Sequence, residues 1–217
     1  MNLLGVVVIL ALSSAAPPGS EGSCATANIE TALKAVFERY PSADELDLTR
    51  DSGEPITPEF LSTAFKVRDV RNGYATLEHA DLVERYEAAL FKNSSGYHLV
   101  IVSTGGSVNR MGVFRCDARG LVSDAQALSF SREDALKLYG EAGLIGKKGL
   151  TEQHLQDWAG SLVQIALPRK GRSIVLKAAV DEPAHVYGKK VGSVEYSDGR
   201  FVVRSLGRTK QASASGE

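Results

Sequence analysis

The run from Tyr97 to Ser103 reads YHLVIVS, and it restricts the fold more than any other stretch of the chain. Three of its seven residues are β-branched, and turn-forming residues flank it on both sides. Such a run is rich in β-branched residues and reads as the clearest strand in the chain. Asn93-Ser94-Ser95-Gly96 before it is turn chemistry, so the preceding segment, from Leu82 to Phe91, is expected to pair with it as a hairpin. After the turn Thr104-Gly105-Gly106-Ser107, Val108 to Cys116 reads as a third strand, and Leu121 to Leu128 as a fourth after the turn Asp117 to Gly120. Between about Tyr74 and Leu128 the apolar period is 2, and strand follows strand without an intervening helix, which specifies an antiparallel meander.

The same pairing of strands returns near the C-terminus. Ser161 to Leu167 and Arg172 to Val180 flank Pro168-Arg169-Lys170-Gly171. Val186 to Tyr196 and Arg200 to Ser205 flank Ser197-Asp198-Gly199, in which Asp-Gly is a strong hairpin signal. Helices occupy the remaining segments. Ile29, Leu33, Val36, Phe37 and Tyr40 form one stripe at helical spacing, with Asn28 as cap and Pro41 as stop. Thr57-Pro58-Glu59 opens a second short helix with a cap, a proline at the first helical position and an acid in the first turn. Ser131 with Asp134 resembles a capping box opening a helix through Tyr139, which Gly140 closes. Thr151 opens another, with Leu155 and Trp158 on its inner side. Helices and strands do not alternate one for one, so a parallel βαβ sheet is not expected. The expectation is an α+β fold: an antiparallel meander sheet built from successive hairpins, with an N-terminal helix and a short helical insert.

Leu3 to Leu12 is a run of ten apolar residues, followed by Ser13, Ser14, Ala15 and Ala16, then Pro17, Pro18 and Gly19. That is too short to cross a bilayer core, which needs about 20 residues. It has the length of a secretory signal peptide's apolar region, with small residues suited to cleavage, although no Lys or Arg precedes it. Residues 1–22 are therefore read as signal peptide and short linker, 23–207 as one α+β domain, and 208–217 as a disordered polar tail. The expected location is secreted or periplasmic, with no stable membrane span after cleavage. Cys24 and Cys116 are the two cysteines, and in an oxidising compartment they can form one disulfide.

No motif carries a reaction. The Gly-rich turn from Ser103 to Ser107 lacks a Gly-Lys-Ser/Thr ending and leads into a strand, so no helix N-terminus faces a phosphate. Val191-Gly192-Ser193-Val194-Glu195 lacks the second glycine of a nucleophile elbow. Cys116 has no local signature of a nucleophile. His154 with Asp157, and Asp181 and Glu182 with His185, are fragments of metal-binding patterns without a complete ligand set. No cofactor or metal is expected. Twenty-five Lys and Arg against 26 Asp and Glu leave no basic excess to displace counterions from a nucleic acid. The loops Gly146-Lys147-Lys148 and Arg169-Lys170-Gly171-Arg172 are short basic turns, and Asn93-Ser94-Ser95 is an N-glycosylation sequon.

These features favour an exported, non-catalytic binding module for an unknown protein or small molecule in the envelope or outside the cell. Such a module needs a patch or groove on the sheet. A hydrolase of unrecognised type is the alternative, and it needs at least two of His79, His98, His154 and His185, or one of them with acids, to converge in a pocket. A small secreted inhibitor would need one rigid protruding loop.

Overall fold

The computed structural model describes residues 23–41, 50, 52–103, 110–146 and 150–207. The expected signal peptide, the polar tail, the Gly-rich turn at 104–107 and the lysines at 147–148 lie outside the described residues. The elements follow the order α1 (Ser23–Thr26), α2 (Ile29–Arg39), α3 (Pro58–Ala64), β1 (Phe65–Asp69), β2 (Tyr74–Leu77), β3 (Tyr86–Asn93), β4 (Gly96–Ser103), β5 (Met111–Asp117), β6 (Gly120–Ser123), a 3₁₀ turn (Ala125–Leu128), α4 (Arg132–Glu141), α5 (Glu152–Asp157), β7 (Val163–Ala166), β8 (Ser173–Ala178), β9 (Lys190–Ser197) and β10 (Arg200–Ser205). The fold is α+β, and every strand pairing is antiparallel.

The hairpins divide into two sheets. One has six strands in the order β1 to β6, and the other has four in the order β10-β9-β8-β7. The larger sheet is covered on both faces around its central strands. On one side Leu77, Tyr86, Ala88, Tyr97, Leu99, Ile101 and Phe114 pack with Ile29, Leu33, Val36 and Phe37 of α2 and Leu61 of α3. On the other, Ala89, Phe91, Val100, Val102 and Val113 pack with Ile174, Leu176, Val194 and Tyr196 of the second sheet and with Leu138 and Tyr139 of α4. The layers are thus helix, sheet, sheet. Strand β4 lies at the centre, and all eight of its residues are buried. That placement explains a strand with no polar face: neither side of β4 meets water.

Local chemistry sets the helix ends. Asn28 Oδ1 accepts from the backbone N–H of Glu30 and Thr31, and the Thr31 hydroxyl accepts from the Asn28 N–H, a reciprocal cap. Ser131 and Asp134 form the expected capping box, with aspartate in the usual glutamate place. Gly140 does not close α4. The helix runs on to Glu141, and Gly143, at φ 66°, takes the left-handed position after it. Gly143 N–H donates to Gly140 O and Leu144 N–H to Tyr139 O, which satisfies the last carbonyls.

Two departures from expectation have physical reasons. β1 pairs with β2 and was not foreseen, because Phe65–Asp69 is a short edge strand whose alternation spans only two apolar residues, Phe65 and Val67, half-buried beside exposed Lys66 and Arg68. Leu121 to Leu128 is not one strand. β6 ends at Ser123, and a 3₁₀ turn buries Leu128 against the second sheet's side.

Candidate functional site

A cleft of about 690 Å³ opens where the tips of three hairpins meet. Lys92 to Ser95 of the β3–β4 tip and Arg115 to Arg119 around the β5–β6 tip form two of its walls. Arg172, just before β8, with Asp198 and Gly199 of the β9–β10 turn, forms the third. The cleft therefore spans the junction of the two sheets.

An aromatic lock forms the interface beneath it. Phe91 and His98 are cross-strand neighbours on β3 and β4, and Tyr196 and Phe201 are cross-strand neighbours on β9 and β10. The two pairs face each other, with ring centroids 5.2 to 5.6 Å apart across the joint. A polar chain runs through the lock. Asn93 Nδ2–H donates to the Tyr196 hydroxyl at 2.9 Å, and that oxygen lies 3.0 Å from His98 Nδ1. Burial pushes the Tyr196 phenol above its ordinary value, so it keeps its proton. With Asn93 already donating to it, the hydroxyl gives that proton to Nδ1, which leaves the His98 N–H on Nε2, 3.6 Å from Asp124 Oδ2. Burial lowers the His98 pKa from 6.5, against the opposing pull of Asp124. His98 is therefore a neutral, buried link between the sheets.

Charge gathers outside the lock. Arg115 ion-pairs with Asp117 and, through Nε at 3.3 Å, with Asp124. Arg119 reaches the same Asp117 carboxylate at 3.5 Å, and its backbone N–H donates to Asp117 at 2.8 Å. Burial would raise the Asp117 carboxyl, but that N–H and the two guanidinium groups outweigh it and hold the pKa below the ordinary carboxylate value. Arg172 donates to the Lys92 carbonyl at 3.0 Å and lies over the Tyr196 ring. Among the described residues, neither Lys92 nor Arg172 has a carboxylate within ion-pair distance.

Two glycines permit this meeting of tips. A Cβ on Gly96, at φ 150°, would collide with the Cys116 carbonyl oxygen, so only glycine lets the β3–β4 tip lie against β5. Asp198 and Gly199, at φ 51° and 76°, make the two-residue turn that the Asp-Gly pair announces. A Cβ on Gly199 would lie 2.9 Å from Asn93 Nδ2.

The other sequence candidates are dispersed. His79 sits in the turn after β2, with its ring edge-on to Phe60 and 3.7 Å from Asp81. His154 is exposed on α5, where Gln153 Nε2 rather than His154 binds Asp157. His185 lies exposed in the turn before β9, as do Asp181 and Glu182. Ser193 is an interior residue of β9 paired with Val175 and Arg204. Cys24 and Cys116 are joined in a disulfide, Cα atoms 5.5 Å apart, so Cys116 is no nucleophile. Among the described residues, no three His, Cys, Asp or Glu side chains gather as a metal site, and no helix is long and apolar enough to cross a membrane. The sequon asparagine is the one that holds Tyr196, with its Oδ1 accepting from Ser95 N–H and hydroxyl.

Of the residues lining the cleft, the sequence singled out Asn93, His98, Cys116 and Arg172, each for another reason. Asp198 was marked only as part of its turn, and Lys92, Arg115 and Arg119 carried no signal, because their meeting depends on how two sheets dock. Comparisons with protein-family models, curated proteins and solved structures find no match for the chain.

Proposed function

We propose that the protein is a non-catalytic binding module that holds a small polar ligand in the cleft between its hairpin tips. The observation that carries this reading is the cleft itself, concave, lined mostly by polar and charged residues and walled by both sheets. Its volume falls within the range of small-molecule sites, roughly 300–1,000 Å³. The reading also places the mature protein outside the cytoplasm after loss of residues 1–22. The Cys24–Cys116 disulfide supports that location, since such bonds persist in oxidising compartments.

A hydrolase would rely on His98 with Asp124, the one histidine buried beside an acid. Against it, His98 is only 3% exposed, its Nδ1 is engaged by the Tyr196 hydroxyl of the other sheet, and its Nε2 faces Asp124, which Arg115 already holds. Two measurements separate the readings. Thermal unfolding of the full chain with a panel of small polar metabolites should show a ligand-dependent rise that Ser94→Trp, which fills the cleft from an exposed tip, removes. Assays with chromogenic esters, phosphates and glycosides should show no turnover. Turnover that disappears in His98→Gln would replace the binding module with an enzyme. Mass measurement of the protein isolated from its own cells checks the leader: the expected chain lacks Met1 and the apolar run after it.

A further inference from the structure

We infer that the ligand of this cleft is a small hydroxylated oxyanion, a carboxylate or phosphate ester on a polyol body; the inference rests on the binding-module reading above. Four cations line the cleft, Lys92, Arg115, Arg119 and Arg172, against two carboxylates, Asp117 and Asp198. Asp124, behind the wall, brings the acids to three, still one short of the cations. The distribution matters more than the sum. Arg115 is held by Asp117 and Asp124, and Arg119 shares Asp117. Lys92 and Arg172 lack a carboxylate partner among the described residues, and they come from different sheets. Arg172 is held in place by the Lys92 carbonyl and the Tyr196 ring, so its guanidinium is ordered before any ligand arrives. An oxyanion is the group that satisfies a guanidinium and an ammonium at once.

The remaining lining sets the rest of the ligand. Asn93, Ser94, Ser95 and Asp198 offer hydrogen-bonding side chains, and polar surface exceeds apolar surface on the walls. Hydroxyl groups suit such walls and aliphatic chains do not. Asp198 opposes a ligand with several negative charges. The whole chain, at net charge −1, opposes a long polyanion. One anionic group on a compact hydroxylated body fits all of these.

Isothermal titration of the full chain tests the inference with gluconate and glycerol phosphate as the carboxylate and phosphate sources, and with glucose and glycerol as neutral matches. At least one anion is expected to bind, more weakly in high salt, while its neutral match does not. Lys92→Gln and Arg172→Gln should each weaken binding about tenfold, the loss of one charge-assisted contact. Lys190→Gln removes the same charge outside the cleft and should change little. Unaltered thermal unfolding of Lys92→Gln, an exposed substitution, guards against mere misfolding. If the neutral probes bind as well as the anions and Ser94→Trp abolishes both, the anion is wrong and the binding module stands. If no probe binds, or binding ignores Ser94→Trp as well as the charge variants, both fail.

Discussion

His98 couples the chemistry of one residue to the joint between the sheets. Its folded-state pKa is below 6.5 because burial opposes the charged ring, although Asp124 favours it and Arg115 does not. The unfolded chain, with an ordinary histidine, therefore takes up more protons as pH falls through about 6.5. Stability should drop from that point down to the folded-state value and level off below it. Protonation also puts a proton on Nδ1, which can no longer accept from the Tyr196 hydroxyl. The hydroxyl must then turn away, or Asn93 must give up its place as donor. Urea unfolding at a series of pH values should show this loss in the wild-type chain. His98→Gln should lower stability at pH 7 but remove that part of the slope. An unchanged slope in the variant would mean that other groups carry the acid sensitivity.

At the scale of the element, α4 shows how close one helix lies to a strand it covers. A Cβ on Gly192 of β9 would stand 2.9 Å from Arg204 O on β10 and 2.9 Å from Leu138 Cδ2 on α4. The leucine can turn, but the carbonyl belongs to the β9–β10 ladder and cannot retreat without disturbing it. Gly192→Ala should therefore cost about 1–3 kcal/mol, the usual penalty for overfilling a packed interior, read as a lower urea midpoint at unchanged slope. An Ala variant as stable as wild type would show that the helix can lift from the strand freely. In sequence, Gly192 suggested only a failed nucleophile elbow, since nothing local announces that a helix will lie on it. The elements that could be read in advance are those whose signal is local: the Asn28 and Ser131 caps, the Asp198-Gly199 turn and the apolar run of β4. β1 escaped because its alternation is too short to stand out, with only Phe65 and Val67 as apolar positions. The division of the hairpins into two sheets escaped because each hairpin records its own turn and not the hairpin it will cover. The cleft inherits that blindness, for Lys92 and Arg172 are 80 residues apart and meet only through docking.

At the scale of the whole molecule, the disulfide decides whether the first described segment belongs to the body. α1 has four residues, too few to hold a helix by its own hydrogen bonds. Cys24 and Ala27 are buried, but they offer little apolar area compared with the 11-residue α2 that follows. What fixes α1 is the bond from Cys24 to Cys116 on β5, across a sequence separation of 92 residues. Closing a loop of that length restricts the unfolded chain by on the order of 4 kcal/mol, a large part of the 5–15 kcal/mol that roughly bounds such a fold. Cys24→Ser with Cys116→Ser should lower the unfolding free energy by that order. Amide exchange should rise most at residues 23–27, through local opening, while the β7–β10 sheet, which the bond does not touch, loses no more protection than the lower global stability takes. The strand that carries Cys116 also bears Arg115 and Asp117, so the same loosening should reach the cleft wall and weaken oxyanion binding without removing a single charge. If the double variant matches the wild type in urea and in exchange at 23–27, packing alone holds α1, and the bond is not part of what makes this fold stable.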